Sequence, residues 1–221
     1  TAEGIYNGIK AAVQARFASD SLQQARIAIQ GLGHVGMALA QRLHCAGATL
    51  IVSDLDPRKT QYAQHGFKAE VVTGEAIYQQ VCDVFAPCGL GGIINTTSIP
   101  HLRCAIIAGA ANNQLEKNSD EQLLRDKGIL YVPDFAINAG GLIYASMRYA
   151  GERQATINEK LRGIAVTIRQ LLVNNTNPQE QVQSPLQIAL SLAKQRIANG
   201  QHTTANPVPT AGHKPQITMR G

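Results

Sequence analysis

Three glycines and one aspartate are the residues in this sequence whose spacing points most directly to a chemical task. Gly31, Gly33 and Gly36 stand in the pattern G-x-G-x-x-G, and Asp54 follows Gly31 by 23 positions. Gly31 would permit a tight turn, Gly33 would let a phosphate approach the backbone, and Gly36 would let a helix pack closely on a strand. In this arrangement an acid roughly 20 positions further on binds the ribose hydroxyls of a dinucleotide. The pattern therefore predicts a dinucleotide site, and a chance glycine turn is the alternative.

The elements that must position these residues are also visible in the sequence. The apolar run 27–29 is typical of a strand that is buried on both faces of a parallel sheet. An amphipathic segment, 34–45, follows the glycines, and a second apolar run, 49–52, leads to Asp54. The first turn of the predicted helix would present free N–H groups and a partial positive charge to the phosphates.

The cofactor preference depends on the charge at the end of the second strand. A carboxylate at Asp54 would repel a 2′-phosphate, which predicts NAD rather than NADP. Arg58 and Lys59 keep NADP open as an alternative, because they stand close enough along the chain to meet such a phosphate.

From residue 26 onward, predicted strands alternate with predicted helices, which is typical of a doubly wound parallel sheet. The predicted fold class is therefore α/β, a Rossmann-like dinucleotide-binding domain with flanking N- and C-terminal helices. We expect a single domain over 1–200, with its core at 26–150 and its C-terminal helices at 153–199. Residues 201–221 are polar and rich in proline, and they are expected to form a loosely held tail.

Local signals set some of the helix boundaries. Pro57 is expected to open a short helix that extends to about residue 64, and a further helix is predicted near 74–80. Ser184 followed by Pro185 has the order of a helix cap and a first helical residue.

Composition excludes several classes of partner. The net charge is +5, but the 20 lysines and arginines are scattered and aromatic residues are few, which does not favour nucleic-acid binding. No apolar run approaches the roughly 18 residues of a membrane span, and no signal peptide opens the chain. We therefore expect a cytoplasmic protein without membrane contact.

The four cysteines contain no C-x-x-C pair, and the six histidines show no ligand pairing, so no metal site is predicted. Cys45, Cys82 and Cys104 have apolar neighbours and are expected to be small buried hydrophobes. Cys88 lies in a glycine-rich loop, where no neighbour would activate it as a thiolate.

Three loops follow successive predicted strands, namely APCGLGG at 86–92, AGAANNQL at 108–115 and PDFAINAGG at 133–141. With GLGHVG and the opening TAEGIYNGIKAA, they resemble the family of leucine, valine, phenylalanine and glutamate dehydrogenases over roughly residues 1 to 200. The sequences of the first two loops are most similar to those of the leucine and phenylalanine enzymes. The chain as a whole is most similar to leucine dehydrogenase. The resemblance implies reversible NAD-dependent oxidative deamination of an L-amino acid to a 2-oxo acid and ammonia, by an enzyme that is a homo-oligomer.

The resemblance also assigns residues to the sites. On the cofactor it places Gly31, Gly33, His34, Val35, Gly36, Asp54, Leu55, Ala86, Pro87, Cys88, Ala108, Asn112, Asn113 and Asn138. Asn138 would reach the nicotinamide or the substrate, and Leu161 and Ile164 would line the substrate side-chain pocket.

Each polar or apolar group in this set has a purely structural alternative. Asn112 and Asn113 could be turn residues, because asparagine tolerates turn conformations. Asn138 could cap the helix that follows it. Leu161 and Ile164 could be ordinary core residues in a regular helical stripe.

The resemblance does not extend to the groups that act on substrate. The family anchors the substrate carboxylate and activates water with a Gly-Gly-x-Lys motif, a second lysine and an aspartate in a preceding domain. Here Gly91-Gly92 is followed by Ile-Ile, and Gly140-Gly141 by Leu-Ile. We therefore expect no catalytic residue and no substrate domain in these 221 residues, and NAD binding without turnover. The alternative is a stand-alone, non-catalytic NAD-binding module with a regulatory or assembly role.

Overall fold

A computed structural model of the chain describes residues 1–19, 21–172 and 183–201. Its centre is a parallel sheet of six strands in the order β3-β2-β1-β4-β5-β6. The strands are β1 (Arg26–Gln30), β2 (Thr49–Ser53), β3 (Glu70–Val71), β4 (Val81–Pro87), β5 (Arg103–Ile107) and β6 (Leu130–Tyr131). This is the strand order of the doubly wound dinucleotide-binding fold, so the predicted fold class is confirmed.

The described helices alternate with the strands and also flank them at both ends of the chain. They are α1 (Ala2–Phe17), α2 (His34–Cys45), α3 (Pro57–Phe67), α4 (Asp120–Asp126), α5 (Asp134–Ile137), α6 (Gly140–Tyr149), α7 (Gln154–Leu171) and α8 (Pro185–Gln201). Short 3₁₀ helices span Gly74–Gln79 and Ile99–His101. None of the described helices is long and apolar enough to cross a membrane.

The two central strands fix where a ligand can bind. β1 pairs with β4 in the register Ile27 to Val84 and Ile29 to Ala86, and it pairs with β2 on its other side. The strands that follow β1 therefore first add on one side of it, as β2 and β3, and then on its other side, beginning with β4. In a doubly wound sheet this point of reversal opens a crevice at the carboxyl ends of the strands.

The core lies on both faces of the sheet. Ile27, Ala28 and Ile29 of β1 are completely buried, which explains why the strand is an unbroken apolar run instead of an alternating one. Burying each large aliphatic side chain stabilises the fold by roughly 1.5–3 kcal/mol. The edge that carries the glycine turn is therefore rigidly supported.

Several local predictions can be compared with the described elements. Pro57 does open α3, with Asp56 as its cap, but the helix continues to Phe67 and ends where Lys68 adopts a φ of 53°. The helix predicted near 74–80 is a 3₁₀ helix. Ser184 accepts a hydrogen bond from the Gln187 N–H at 3.1 Å, as expected of a cap.

The prediction for Cys45 is wrong. Cys82 and Cys104 are buried, but Cys45 is exposed because it is the last residue of α2 and lies outside the face that packs on the sheet.

Residues up to Ala189 form one compact unit, and Leu190–Gln201 belong to a second unit. The tail is predicted over 201–221, but residue 201 is the last residue of the helix Pro185–Gln201. Residues 202–221 lie outside the described residues, and the domain boundary at residue 200 stays a prediction.

One buried carboxylate ties the start of α8 to α4. Glu121 of α4 accepts hydrogen bonds from the Ser184 hydroxyl and from the Leu186 N–H, the latter at 3.2 Å. Burial raises the pKa of the Glu121 carboxyl, and the two hydrogen bonds offset only part of that effect.

Glu121→Gln is expected to remove a pH-dependent contribution to stability. A carboxyl whose pKa is raised by folding stabilises the fold fully below its unfolded value, and that contribution disappears as the pH rises through the folded value. The wild type should therefore lose unfolding free energy relative to the variant as the pH rises above about 4.5, the ordinary value of the group. Thermal melts between pH 4 and pH 8 measure this difference. The exposed Glu116→Gln variant controls for the loss of one charge, and a wild-type-minus-variant difference that is flat with pH would contradict the prediction.

Candidate functional site

The turn after β1 is held from both sides. The Gly31 N–H donates to the Ser53 carbonyl at 2.7 Å, and the Cys88 N–H donates to the Gln30 carbonyl at 2.7 Å. Gly31 has a φ of +94°, and a Cβ at this position would lie 2.7 Å from the backbone nitrogen of Gly89. The backbone conformation and the neighbouring loop both therefore require glycine here.

Gly33 is the N-cap of α2 and faces open space. Gly33 has no side chain that could cap the helix, and a Cβ built on it would have no atom within 4 Å. His34 is exposed and Val35 is partly exposed in the first helical turn. Because the first N–H groups of a helix have no partner within the helix, this end presents donors and a partial positive charge to the open space beside Gly33. An anionic group such as a phosphate fits this arrangement.

Gly36 differs from Gly33, because a side chain at position 36 would have no space. A Cβ at Gly36 would lie 2.0 Å from the Gly31 carbonyl oxygen and 3.2 Å from the Cβ of Cys88. The glycine therefore lets α2 begin directly against the turn and against the loop that follows β4. The structure brings Gly31 and Gly36 together, which is the close packing that the motif predicts, and it places Cys88 against both.

The Asp54 carboxylate lies across the mouth of the same turn. Its Oδ2 accepts the Leu32 N–H at 2.6 Å, and its Oδ1 accepts the Asp56 N–H at 2.8 Å. Lys59 Nζ lies 3.5 Å from Oδ1. A carboxylate has about four acceptor positions, two on each oxygen. Oδ1 already faces the Asp56 N–H and Lys59 Nζ, whereas Oδ2 keeps capacity for another donor, such as a sugar hydroxyl.

Electrostatics keeps this carboxylate ionised. Burial on its own raises the pKa of Asp54, but the hydrogen bonds from Asp56 and Leu32 together with the charge of Lys59 bring the pKa below its ordinary value. Leu55, the next residue, is 98% exposed and offers an apolar surface beside the carboxylate. Negative charge and apolar surface thus lie side by side at the end of β2.

The loops after β4 and β5 pack against each other on the far side of the crevice. The Ala111 N–H donates to the Pro87 carbonyl at 2.9 Å, and the Gly92 N–H donates to the Asn113 carbonyl at 2.7 Å. A Cβ at Gly109 would lie 2.2 Å from the Pro87 carbonyl oxygen, so glycine is also needed at this contact. The two loops therefore form a single wall.

A buried polar pair, which the sequence reasoning missed, joins this wall to the loop after β6. The Gln114 N–H donates to Asp134 Oδ2 at 2.9 Å, and the Gln114 side-chain amide donates to the Gly109 and Ala111 carbonyls at 3.0 Å. Asp134 also accepts the Phe135 N–H at 2.6 Å. Both residues stand inside the recognised loop motifs, but only their burial shows that they hold the loops in place.

Asn138 and Asn112, 26 positions apart, are brought into contact by this packing. Asn138 Nδ2 donates to Asn112 Oδ1 at 2.6 Å, and it lies 3.4 Å from the Ala110 carbonyl. The N-cap of α6 is Ala139, so the alternative that Asn138 caps the following helix is wrong. Asn113 has a φ of 51°, which agrees with the turn alternative for that residue.

The remaining cofactor candidates differ in exposure. Ala86, Pro87 and Ala108 are buried at the ends of β4 and β5, so they form the floor of the crevice. Cys88 is partly exposed beside them. Desolvation raises the pKa of its thiol to about 12, so the group is neutral and unreactive at neutral pH, as expected from its neighbours. Among the described residues no group of three histidine, cysteine or acidic side chains could hold a metal ion.

Leu161 and Ile164 lie on α7, which packs against α1, α5 and α6. Ile164 is buried, and its Cδ1 would meet a Cβ at Gly4 of α1 at 2.7 Å. A Cβ at Gly140 would lie 3.4 Å from both Leu161 and Ile164. Ile164 is thus a core residue between helices. Leu161 is partly exposed and lies next to the NAGG segment that contains Asn138.

Comparison with known proteins agrees with this geometry. The sequence model of the Glutamate/Leucine/Phenylalanine/Valine dehydrogenase family matches residues 55–204. The chain is 44% identical over 164 residues to the leucine dehydrogenase of Thermoactinomyces intermedius, which is 74% of this chain and 45% of that protein. It is 42% identical over 209 residues to the L-tryptophan dehydrogenase of Nostoc punctiforme, which is 94% of this chain and 58% of that protein.

The chain belongs to the Glu/Leu/Phe/Val dehydrogenase family. The crystal structure of L-tryptophan dehydrogenase from Nostoc punctiforme superimposes with a TM-score of 0.85 at 41% identity, covering 91% of this chain and 60% of that one. The chain spans about half the length of the curated dehydrogenases it matches.

Proposed function

We propose that the chain is the NAD-binding part of an L-amino-acid dehydrogenase that catalyses reversible oxidative deamination to a 2-oxo acid and ammonia. The observation that carries the proposal is the pairing of the open, uncapped helix start at Gly33 with the ionised Asp54 across the turn. A pyrophosphate matches the first feature, and the two hydroxyls of an adenine ribose match the second. NAD, when bound, supplies the hydride acceptor for the reaction.

The residues present fit this cofactor along the whole crevice. The first-turn amides of α2 would hold the diphosphate, and Asp54 with Leu55 would hold the adenosine end. Pro87 and Cys88 would flank the middle of the molecule. Asn112 and Asn138, already joined by a hydrogen bond, would meet the nicotinamide end, where their amide groups can donate and accept hydrogen bonds.

The groups that act on the amino acid are the part of the family pattern that these residues lack. Neither Gly91-Gly92 nor Gly140-Gly141 is followed by a lysine at the Gly-Gly-x-Lys position. A base for water activation and a cation for the substrate carboxylate must therefore come from other residues. The isolated 221-residue chain is accordingly proposed to bind NAD without turnover.

Calorimetry and a turnover assay test this proposal together. Titration of the purified chain with NAD and with NADP should show that NAD binds and that it binds more tightly than NADP. Oxidative deamination should be absent with leucine, valine, phenylalanine and tryptophan. Robust turnover by the isolated chain would show that the catalytic groups have been misplaced, and tighter NADP binding would overturn the interpretation of Asp54.

Co-expression with the preceding domain of a related dehydrogenase separates the enzyme from the alternative of a non-catalytic module. Recovered turnover supports the enzyme, and NAD binding without recovery supports the module. The leucine and L-tryptophan dehydrogenases that the chain resembles favour a nonpolar substrate side chain, and Leu161 beside Gly140 is consistent with an aliphatic one. Tryptophan is the second candidate, because the L-tryptophan dehydrogenase matches 94% of this chain. Assembly of the full enzyme as a homo-oligomer stays a prediction, which light scattering can check.

A further inference from the structure

The residues just after Asp54 contain an ion pair that the dinucleotide pattern does not require. Arg58 Nε donates to Asp56 Oδ1 at 3.0 Å, and Arg58 Nη2 donates to Asp56 Oδ2 at 2.9 Å. The two parallel bonds use the planar fork of the guanidinium, which is the geometry in which arginine also grips a phosphate. The same fork cannot hold both partners.

Asp56 is itself fixed in place. Its Oδ1 also accepts the Arg58 N–H at 3.0 Å, which makes it the N-cap of α3, and its own N–H donates to Asp54. Its side chain is only 26% exposed, whereas that of Arg58 is 88% exposed. The carboxylate therefore stays where it is, and the arginine folds back onto it.

The second cation in this segment is engaged as well. Lys59 Nζ lies 3.5 Å from Asp54 Oδ1, so each of the two basic residues that follow Asp54 faces a carboxylate. A 2′-phosphate on the adenine ribose would therefore meet two basic residues that are each already paired with a carboxylate, Lys59 with Asp54 and Arg58 with Asp56. Asp54 would repel the phosphate, and Asp56 already binds the Arg58 guanidinium, whose charge could offset that repulsion.

We infer that Asp56 is a specificity-determining residue that disfavours 2′-phosphorylated dinucleotides by occupying the guanidinium of Arg58. The inference rests on the proposed binding of NAD at this crevice. It assigns to Asp56 a role separate from that of Asp54, because Asp56 acts through the arginine rather than on the ribose hydroxyls.

A double-mutant cycle on the full chain tests this role. The variants are Asp56→Asn, Arg58→Gln and the two combined, and the readout is the dissociation constant of NAD and of NADP by calorimetry. Asparagine keeps the helix cap and removes the charge. Because exposed ion pairs are weak, Asp56→Asn should tighten NADP binding by about fivefold and leave NAD binding within about twofold. Asp54 is retained, so the variant should still prefer NAD.

The arginine substitution gives the decisive contrast. Arg58→Gln should leave NADP binding nearly unchanged in the wild-type background, and it should abolish the gain in the Asp56→Asn background. The inference would be overturned if Asp56→Asn tightened NADP binding equally in the wild-type and Arg58→Gln backgrounds. In that case the gain in NADP affinity would not depend on the arginine. Asp56→Ser, which also preserves a cap, repeats the measurement if Asp56→Asn melts early. Failure of the wild type to bind NAD would overturn the proposed function, whereas NAD binding with a flat cycle would overturn this inference alone.

Discussion

Gly33→Val is expected to weaken NAD binding by at least about a hundredfold, while the melting temperature of the free chain falls by no more than about 4 °C, the effect of an unfavourable helix cap. A Cβ at position 33 would meet no protein atom within 4 Å, so a side chain there begins in open space. That space lies in front of the first-turn amides of α2, where the diphosphate is proposed to bind. Losing two charge-assisted hydrogen bonds of roughly 1.5–3 kcal/mol each accounts for an effect of this size.

Calorimetry with NAD and a thermal melt without it measure the two halves of this prediction. Gly66→Val is the matched control, because Gly66 lies on the exposed side of α3 and a Cβ there also meets nothing within 4 Å. The control should bind NAD like the wild type. Undiminished NAD binding by Gly33→Val would mean that the cofactor does not pass in front of α2.

Gly36→Ala is expected to destabilise the chain by about 3 kcal/mol, which corresponds to a fall in melting temperature of roughly 10 °C. Its added methyl would lie 2.0 Å from the Gly31 carbonyl oxygen, and this neighbour is backbone that is itself held by β1 and β2. The clash can be relieved only by moving α2 away from the sheet, where Leu39 and Leu43 are completely buried.

Chemical denaturation of Gly36→Ala and Gly33→Ala, side by side, tests this expectation. The two variants add the same methyl group three residues apart, and Gly33→Ala should lose no more than about 1 kcal/mol, the usual cost of an unfavourable cap. Equal losses in the two variants would contradict the packing role of Gly36.

Much of this site is readable from the sequence because its parts are close along the chain. Strand, glycine turn, helix, second strand and Asp54 occupy 29 consecutive residues, and each has a local backbone reason for its residue type. A turn that needs a positive φ demands glycine at position 31 whatever surrounds it. The start of α2 after Gly33 can likewise be predicted from the order of neighbouring residues, in which the glycines precede an amphipathic segment.

Contacts between distant loops could not be predicted in the same way. Asn138 meets Asn112 only because β5 and β6 are neighbours in the sheet, and helix-cap preference alone favoured a different role for Asn138. Cys45 looks buried from its apolar neighbours, yet its position at the end of α2 turns it outward. The side-chain conformation of Arg58 is likewise invisible in a sequence, where it reads as a cation free to meet a phosphate.

The buried pair of Gln114 and Asp134 has a consequence for how the far wall of the crevice can change. Three segments that leave the sheet at β4, β5 and β6 are tied by backbone bonds and by this one carboxylate–amide contact. We therefore expect the three segments to move together, so that a displacement at Pro87 also displaces Asn138. With NAD bound as proposed, altering the recognition of its nicotinamide end calls for matched substitutions in several segments, whereas the recognition of its adenine-ribose end, beyond β2, can be changed one side chain at a time.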